Sequence, residues 1–366
     1  VIHTLILNGA ECEPWISCDE MLMREQPERV INGALVLQAA LEVRHTVIAI
    51  EDRMGAAFQA LSAAIASACS TSIRLVSVPA VYPEGGERQL VQVLTGLEVP
   101  AGSRPPDLGL LCLNVATAAA VADAVIRGRP LVERIVTVTG HGVQHPRNLL
   151  AAIGTPVAAL IDACGGYRSN AARLVLGGPM MGYALASDQS PLVKAANCIL
   201  VLSHEDVLPV QPEMPCIRCG ECARVCPANL LPQTLHWQIR NGLLDEATDY
   251  GLNECVECGC CDLVCPSHIP LAEQFRFGKS AARGLAAERS RAEAARERFE
   301  AREARLLKLA QTSSERMDER KHALLDDAEK ARRIAASLAR VRARGASSEP
   351  SPGEPVDTPP GGLKKP

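Results

Sequence analysis

Two groups of four cysteines share one spacing and are each followed by a proline. The first group is Cys216, Cys219, Cys222 and Cys226, and the second is Cys255, Cys258, Cys261 and Cys265. Three thiolates on a tight loop can reach three iron atoms of one cubane, and the run C-x₂-C-x₂-C-x₃-C-P is typical of [4Fe–4S] ligation. The repeated spacing therefore predicts two [4Fe–4S] clusters in one duplicated module.

The fourth cysteine of each run is expected to serve the opposite cluster, as in two-cluster ferredoxins. We therefore assign Cys216, Cys219, Cys222 and Cys265 to one cluster, and Cys255, Cys258, Cys261 and Cys226 to the other. Paired zinc sites are the alternative, but zinc needs only four ligands, usually in two C-x-x-C pairs. The additional Cys260 is interpreted as a buried free thiol. Two clusters in series indicate an electron relay rather than bond chemistry.

Composition narrows the class of protein. The chain has 366 residues, 15 cysteines and a formal net charge of −4, which gives no electrostatic reason to bind nucleic acid. No apolar run reaches the roughly 18–20 residues of a membrane span. Cluster thiolates favour a reducing compartment, with cytoplasm as the default. The chain starts at Val1 without a signal peptide, so we expect a fragment. Six other cysteines are predicted to be small core residues: Cys12, Cys18, Cys69, Cys112, Cys164 and Cys198.

Residues 1–130 alternate strand-like and helix-like stretches, which predicts an α/β domain with a mainly parallel, Rossmann-like sheet. The predicted strands are His3–Leu7, Thr46–Ile50, Ile73–Val78 and Leu108–Leu113. The predicted helices are Pro27–Leu41, Gly55–Ser67, Gly86–Leu94 and Ala116–Arg127.

Four further segments follow this domain. Residues 131–185 read as a small strand–turn–helix–strand unit, and residues 186–206 as a connecting segment. Residues 207–280 hold the cysteines in a ferredoxin-like α+β module. Residues 281–345 are rich in Ala, Arg and Glu, which predicts an exposed charged helix. The Ser- and Pro-rich residues 346–366 are predicted to be a disordered tail.

Three short motifs ahead of the cysteines carry a family resemblance. They are Leu5–Pro14 (LILNGAECEP), Tyr82–Glu87 (YPEGGE) and Asn114–Thr117 (NVAT). In this order, with the two-cluster module downstream, the chain resembles the C subunit of the Rnf electron-transport complex over about residues 1–280. It is similar, more weakly, to the NADH-binding flavoprotein subunit of respiratory complex I. Residues 136–166 resemble a soluble-ligand-binding β-grasp domain.

The resemblance implies that FMN and NAD(H) bind to the first domain. It places Asn8, Glu11 and Glu13 beside the isoalloxazine and nicotinamide, Gly85, Gly86 and Glu87 near flavin and nucleotide, and Asn114 and Thr117 under the flavin phosphate. A helix N-terminus suits a phosphate. The alternatives are a turn at Asn8, an N-cap at Asn114 and surface charges at the two glutamates. The family's glycine-rich phosphate loop has no counterpart before Leu5, so we expect flavin binding only with an upstream segment.

The resemblance also implies the function. We expect a peripheral redox subunit of a membrane-bound, ion-translocating NADH:ferredoxin oxidoreductase, running in either direction, on the cytoplasmic face of the bacterial inner membrane. Its partners would be the membrane and redox subunits of the Rnf complex, with ferredoxin or flavodoxin reached through that complex. The alternative is an electron-relay or docking subunit that carries two clusters and binds neither flavin nor NADH.

Overall fold

The structure, a computed structural model, describes residues 1–345 except 208, 210 and 326. The described residues fall into two compact units, Val1–Leu285 and a second that begins at Ala286. The first unit holds both sheets and all fifteen cysteines, none of which forms a disulfide. Each unit is described by itself.

A four-stranded parallel sheet organises the N-terminal part in the order β3-β2-β1-β4. Its strands are β1 (Thr4–Gly9), β2 (His45–Glu51), β3 (Ile73–Val78) and β4 (Leu110–Asn114). The accompanying helices are α1 (Cys18–Glu25), α2 (Pro27–Leu41), α3 (Gly55–Ser67), α4 (Glu87–Thr95) and α5 (Val115–Arg127). The predicted α/β class is confirmed. Helix α1 was not predicted.

Helices cover both faces of this sheet, which explains its continuous apolar strands. Leu5, Leu7 and Ile48 point towards a core shared with α1, α2, α3 and α5. Ile6 and Ala49 point the other way, into a smaller core with α4. Because the strands are parallel, their carboxyl ends meet at one edge, where ligands bind in open α/β sheets.

A five-stranded mixed sheet follows, in the order β6-β5-β9-β7-β8. Its elements are β5 (Glu133–Thr139), β6 (Arg147–Ala152), α6 (Val157–Ala163), β7 (Ala171–Leu176), β8 (Tyr183–Ala184) and β9 (Cys198–Ser203). Strand β9 pairs with β5 in parallel and with β7 antiparallel. Residues 186–206 are therefore not only a connecting segment, because they contain the central strand of this sheet.

The reason lies in the apolar run of β9, which is buried on both faces. Ile199 and Val201 pack into the core with α6. Cys198 and Leu200 pack against Ile16 and Cys18 from the N-terminal part. Strand β9 thus packs on α6 with one face and on the residues at the start of α1 with the other.

The cysteine module is built from short helices: α7 (Glu221–Arg224), α8 (Pro232–Arg240), α9 (Leu244–Asp249), α10 (Cys260–Leu263) and the start of α11 (Leu271–Leu325). Its core joins Leu235, Leu252 and Phe275 to several of the motif cysteines. Its described residues contain helices and turns but no strand of the expected α+β unit. Pro232 starts α8 after the first cysteine loop, and good helix formers continue α11 after the second.

The charged C-terminal stretch forms α11 and α12 (Asp327–Gly345). Helix α11 begins at Leu271 rather than at the predicted residue 281, because Leu271 and Phe275 are buried in the cysteine module. In the part of the chain that the structure describes, no helix combines the length and the apolar character needed to cross a membrane. The predicted tail at 346–366 lies outside the described residues.

Not all six cysteines predicted to be core residues are buried. Cys18, Cys164 and Cys198 are buried, Cys12 and Cys112 are half-buried, and Cys69 is exposed. Cys69 follows the last turn of α3 with a positive φ of 49°, so its side chain leaves the apolar face of that helix.

Candidate cofactor sites

The first cysteine pocket combines residues from both repeats. It is lined by Cys216, Cys219, Cys222 and Cys265. Gly220 lies in the left-handed region (φ 80°), which lets the loop turn directly into α7. Two polar side chains of α8, Gln233 and His236, also line this pocket.

The second pocket is built in the same way. It is lined by Cys226, Cys255, Cys258 and Cys261, with Cys260 beside them. Gly259 repeats the left-handed turn (φ 75°) before α10. Cys260 is half-buried rather than buried. Apolar side chains, Leu230 and Phe275, take the place of the polar wall seen in the first pocket.

These residues fit [4Fe–4S] clusters. Each pocket offers four thiols, three from one loop and one from the other repeat, which is the grouping predicted from the spacing. Backbone N–H groups already point at sulfur: Leu230 N lies 3.4 Å from Cys226 Sγ, and Glu257 N lies 3.4 Å from Cys255 Sγ. Burial raises the pKa of Cys258 to about 11. Cluster binding therefore has to release protons from such thiols.

The second loop contacts α4 and the turns next to both sheets. The Tyr82 hydroxyl donates to the Cys258 carbonyl at 2.6 Å. Arg88 of α4 pairs with Glu254, whose other oxygen accepts from Gly102 N at 3.1 Å. A Cβ at Gly259 would lie 3.2 Å from the Met180 carbonyl oxygen in the turn before β8.

Asn8 and Gly85 meet at the carboxyl edge of the first sheet. Asn8 Nδ2 donates to Gly85 O at 2.8 Å, and Asn8 Oδ1 accepts from Ala10 N at 3.0 Å. A Cβ at Gly85 would lie 2.5 Å from Ala10 O, so only glycine allows this approach. Gly86 is the N-cap of α4, and Glu87 is its first residue.

Glu11 lies at the N-terminus of α1. Its carboxylate accepts from the backbone N–H groups of Asp19 (3.0 Å) and Glu20 (3.2 Å), and Cys18 Sγ lies 3.3 Å away. Burial, and then the charge of Asp19, raise the pKa of Glu11 to about 7. Sequence reasoning missed Cys18 and Asp19 as its neighbours, because Ser17-Cys18-Asp19 was not recognised as a helix start.

Glu13 joins the first sheet to the second. Its Oε1 accepts from Met180 N at 2.8 Å and from Met181 N at 2.9 Å. A Cβ at Gly178 would collide with the Glu13 side chain, since the gap to Cγ is 2.0 Å. Glu13 is therefore a bridging residue and not a surface charge.

Asn114 and Thr117 line a cleft of about 980 Å³ beside α1 and β5. Asn114 caps α5, accepting from Ala116 N at 2.7 Å, while its Nδ2 donates to Asp19 Oδ2 at 2.6 Å. The volume suits a small-molecule cofactor. Cationic side chains, Arg29 and Arg134, lie on its walls.

The structure does not bring all eight predicted cofactor residues into one pocket. Asn114 and Thr117 line the cleft, whereas Asn8, Gly85, Gly86 and Glu87 lie around the turn before α4. That turn region holds buried oxygen atoms without a hydrogen-bond partner, Glu51 Oε1 and Glu84 Oε1, which sequence reasoning did not single out. Partnerless buried acceptors are costly, so they favour a bound group with donors. The carboxyl edge therefore fits a flavin or nucleotide.

Three families match successive parts of the chain. Residues 1–123 match the Nuo51 FMN-binding domain, residues 135–184 the SLBB domain, and residues 215–269 the 4Fe-4S dicluster domain. These matches confirm the expected cofactor classes, FMN and [4Fe–4S].

Full-length relatives extend the similarity across these domains. The C subunit of the ion-translocating oxidoreductase complex of Pseudomonas aeruginosa is 48% identical over 305 residues, which cover 83% of this chain and 39% of that protein. The chain belongs to the family of C subunits of ion-translocating oxidoreductase complexes. The C subunit from Cronobacter sakazakii is 44% identical over 349 residues, covering 95% of this chain and 44% of its own length. This chain thus spans about two fifths to one half of the length of the relatives that it matches.

A solved structure shows the same fold. A chain of the NAD⁺-reducing [NiFe]-hydrogenase, in its air-oxidised state, superposes with a TM-score of 0.51 at 20% identity. The superposition covers 77% of this chain and 56% of that chain. At this level of identity, the likeness shows that the two chains share a fold, and it says nothing about the activity of this chain.

Proposed function

We propose that this chain is the electron-transferring part of a peripheral subunit of an ion-translocating NADH:ferredoxin oxidoreductase of Rnf type. The observation that carries the proposal is the contact of the second cysteine loop with the FMN-domain edge through Tyr82 and Arg88. A flavin at that edge would lie on the same side of the domain as the loop. The proposal includes NAD(H) as substrate, the other proteins of the complex as partners, and a place on the cytoplasmic face of the inner membrane.

Each group of residues is assigned one part of the cofactor binding. Asn8, Gly85 and Glu87 would hold the flavin and nucleotide end, and Asn114 and Thr117 the phosphate. Bound FMN exchanges an electron pair for single electrons, and [4Fe–4S] clusters carry single electrons onwards. The eight motif cysteines would ligate the clusters in the two crossed sets.

We infer the order of the clusters from the packing of the two loops. The pocket of Cys226, Cys255, Cys258 and Cys261 would be the entrance from the flavin, since its loop touches the first domain. The pocket of Cys216, Cys219, Cys222 and Cys265 would be the exit, where Cys216 and Cys219 are exposed. We place the FMN/NADH domain at 1–130, extend the SLBB domain to Ser203, and keep the cluster domain at 207–280.

The test is cofactor content and reduction after anaerobic purification, both for this chain and for a longer form with its native upstream sequence. About eight irons, since each cluster holds four, with FMN and NADH-dependent cluster reduction in the longer form would support the proposal. A Glu87→Gln variant should slow NADH oxidation without iron loss.

Two outcomes would contradict the proposal. Eight irons without flavin in either form would leave a two-cluster relay and move NADH oxidation to another subunit. Two zinc ions in place of iron would remove the redox role altogether. A Cys219→Ala/Cys258→Ala double variant is the matched control, because it loses both clusters and keeps the flavin domain.

A further inference from the structure

A buried cation lies beside the second cysteine loop. Lys279 Nζ, on the first turns of α11, donates to the Cys255 carbonyl at 2.6 Å and to Glu257 Oε1 at 2.7 Å. Its side chain is only 10% exposed. Lys is rarely buried to this extent unless it is paired, so the site is specifically built around the ammonium.

The ammonium belongs to a small group of charged side chains beside the loop. Glu257 is shared between Lys279 and Arg276, whose Nε lies 3.0 Å from Glu257 Oε2. The carboxylate of Asp262, whose Oδ1 accepts from Ala272 N at 2.9 Å, is a second negative charge in this group and lies near Arg276. The Lys279 ammonium is the charge that bonds directly to the loop, through the Cys255 carbonyl.

The first repeat offers an internal comparison. Arg240 and Lys279 each lie fourteen residues after the last cysteine of their repeat. Arg240, however, is 61% exposed and pairs with Glu213 in solvent. At the position of Glu257, two residues after the first cysteine, the first repeat has Arg218. The duplicated sequence therefore places a buried cation at only one of its two loops.

Building on the proposed function, we infer that Lys279 is a positioning residue that raises the reduction potential of the cluster held by Cys255, Cys258, Cys261 and Cys226. Reduction adds one electron to the cluster and breaks no bond, so the reduced form carries more negative charge. A fixed ammonium on the Cys255 carbonyl stabilises that form in a low-dielectric site. Charge, hydrogen bonding and exposure are the factors by which a protein sets such potentials.

The consequence is a difference between the two clusters. The cluster beside Lys279 would accept electrons from the flavin side more readily than a cluster with the same ligands and no ammonium. Lys279 thus favours electron entry at the loop that touches Tyr82, without itself touching substrate.

The experiment is an EPR-monitored redox titration of the chain, reduced with dithionite. Lys279→Gln keeps a donor and removes the charge. We expect about a tenfold lower ratio of reduced to oxidised second-loop cluster at a fixed potential, which is about 59 mV for one electron. The first-loop cluster should not move. A Cys258→Ser variant identifies which signal belongs to the second loop.

Three further variants keep the inference testable if Lys279→Gln loses its cluster. Glu257→Gln removes the negative partner and should shift the same cluster in the opposite direction, to a higher potential. Arg240→Gln is the matched control and should leave both potentials unchanged. Lys279→Arg should restore most of the native value.

The inference is overturned if Lys279→Gln assembles both clusters at native potentials. It is also overturned if both clusters shift together, or if Glu257→Gln leaves the second-loop signal unmoved. The proposed function fails separately, if the native chain shows no pair of reducible [4Fe–4S] signals at all.

Discussion

The two cysteine repeats have the same spacing and different surroundings. In the first, Cys216 and Cys219 are exposed, and Ile217 between them is 68% exposed. In the second, the matching Cys255 is half-buried and Cys258 is buried, and the loop contacts Tyr82, Arg88 and the Met180 carbonyl. The duplicated cysteine spacing therefore determines the type of cluster. The contacts made by the rest of the chain determine which cysteine loop is covered and which is exposed.

The largest effect is expected from removing a shared ligand. Cys226→Ala should cost about four of about eight irons, since each cluster holds four. The lost cluster should be that of the second loop, because Cys226 lies in that pocket. Iron analysis measures the loss, and the EPR spectrum of Cys226→Ala should match the spectrum of Cys258→Ala.

A residual spectrum that matches Cys219→Ala instead would show that the ligands are not exchanged between the repeats. Cys260→Ala is the control and should retain all of the iron.

The next effect concerns the ion pairs of the two repeats. Arg88→Ala removes the partner of Glu254, which is largely buried, and also a bond to Ser103 O at 3.0 Å. We expect a loss of about 1–3 kcal/mol in unfolding free energy, as for hydrogen bonds to charged groups. Denaturant unfolding under anaerobic conditions measures it.

The matched change in the first repeat is Arg224→Ala. Arg224 pairs with Glu221 on the surface, where an ion pair contributes about 0–1 kcal/mol. Equal losses for Arg88→Ala and Arg224→Ala would contradict the distinction between an inner and an outer repeat.

A smaller effect is expected at Tyr82. Tyr82→Phe keeps the ring and removes the hydrogen bond to the Cys258 carbonyl, which should cost about 0.5–1.5 kcal/mol. Thermal unfolding of the holoprotein measures the change. Tyr250→Phe, at an exposed position of the same module, should be neutral; a comparable loss there would remove Tyr82 from the interface.

The smallest effect is expected from deleting residues 286–366. Lys279, Phe275 and all eight motif cysteines lie before this boundary. Iron content and both EPR signals should match those of the undivided chain. Loss of iron from either repeat would show that the C-terminal unit supports the clusters.

The elements that could be predicted from the sequence are those whose determinants lie close together in the chain. The helix Pro27–Leu41 was predicted residue for residue, because a proline starts it and its apolar period is regular. The cysteine grouping needed only the spacing. Strand β9 was missed because its role is set by partners, β5 and β7, that are distant in the chain.

The same limit applies to the candidate site. Asn114 could be recognised as a helix cap from its sequence context. The hydrogen bond from the Tyr82 hydroxyl to the Cys258 carbonyl joins residues 176 positions apart, and the sequence near either residue does not predict it. Lys279 lies just before the predicted charged helix at 281–345 and was not singled out, because its burial depends on where α11 begins.

The exchange of one cysteine between the two pockets also constrains how the protein is made. During synthesis the chain emerges from its N-terminus, so the first loop is complete well before Cys265 leaves the ribosome. Neither pocket has its four thiols until the second repeat has been translated and folded onto the first. Cluster insertion is thus a late and joint event, and a nascent chain interrupted between the repeats has no finished site for iron.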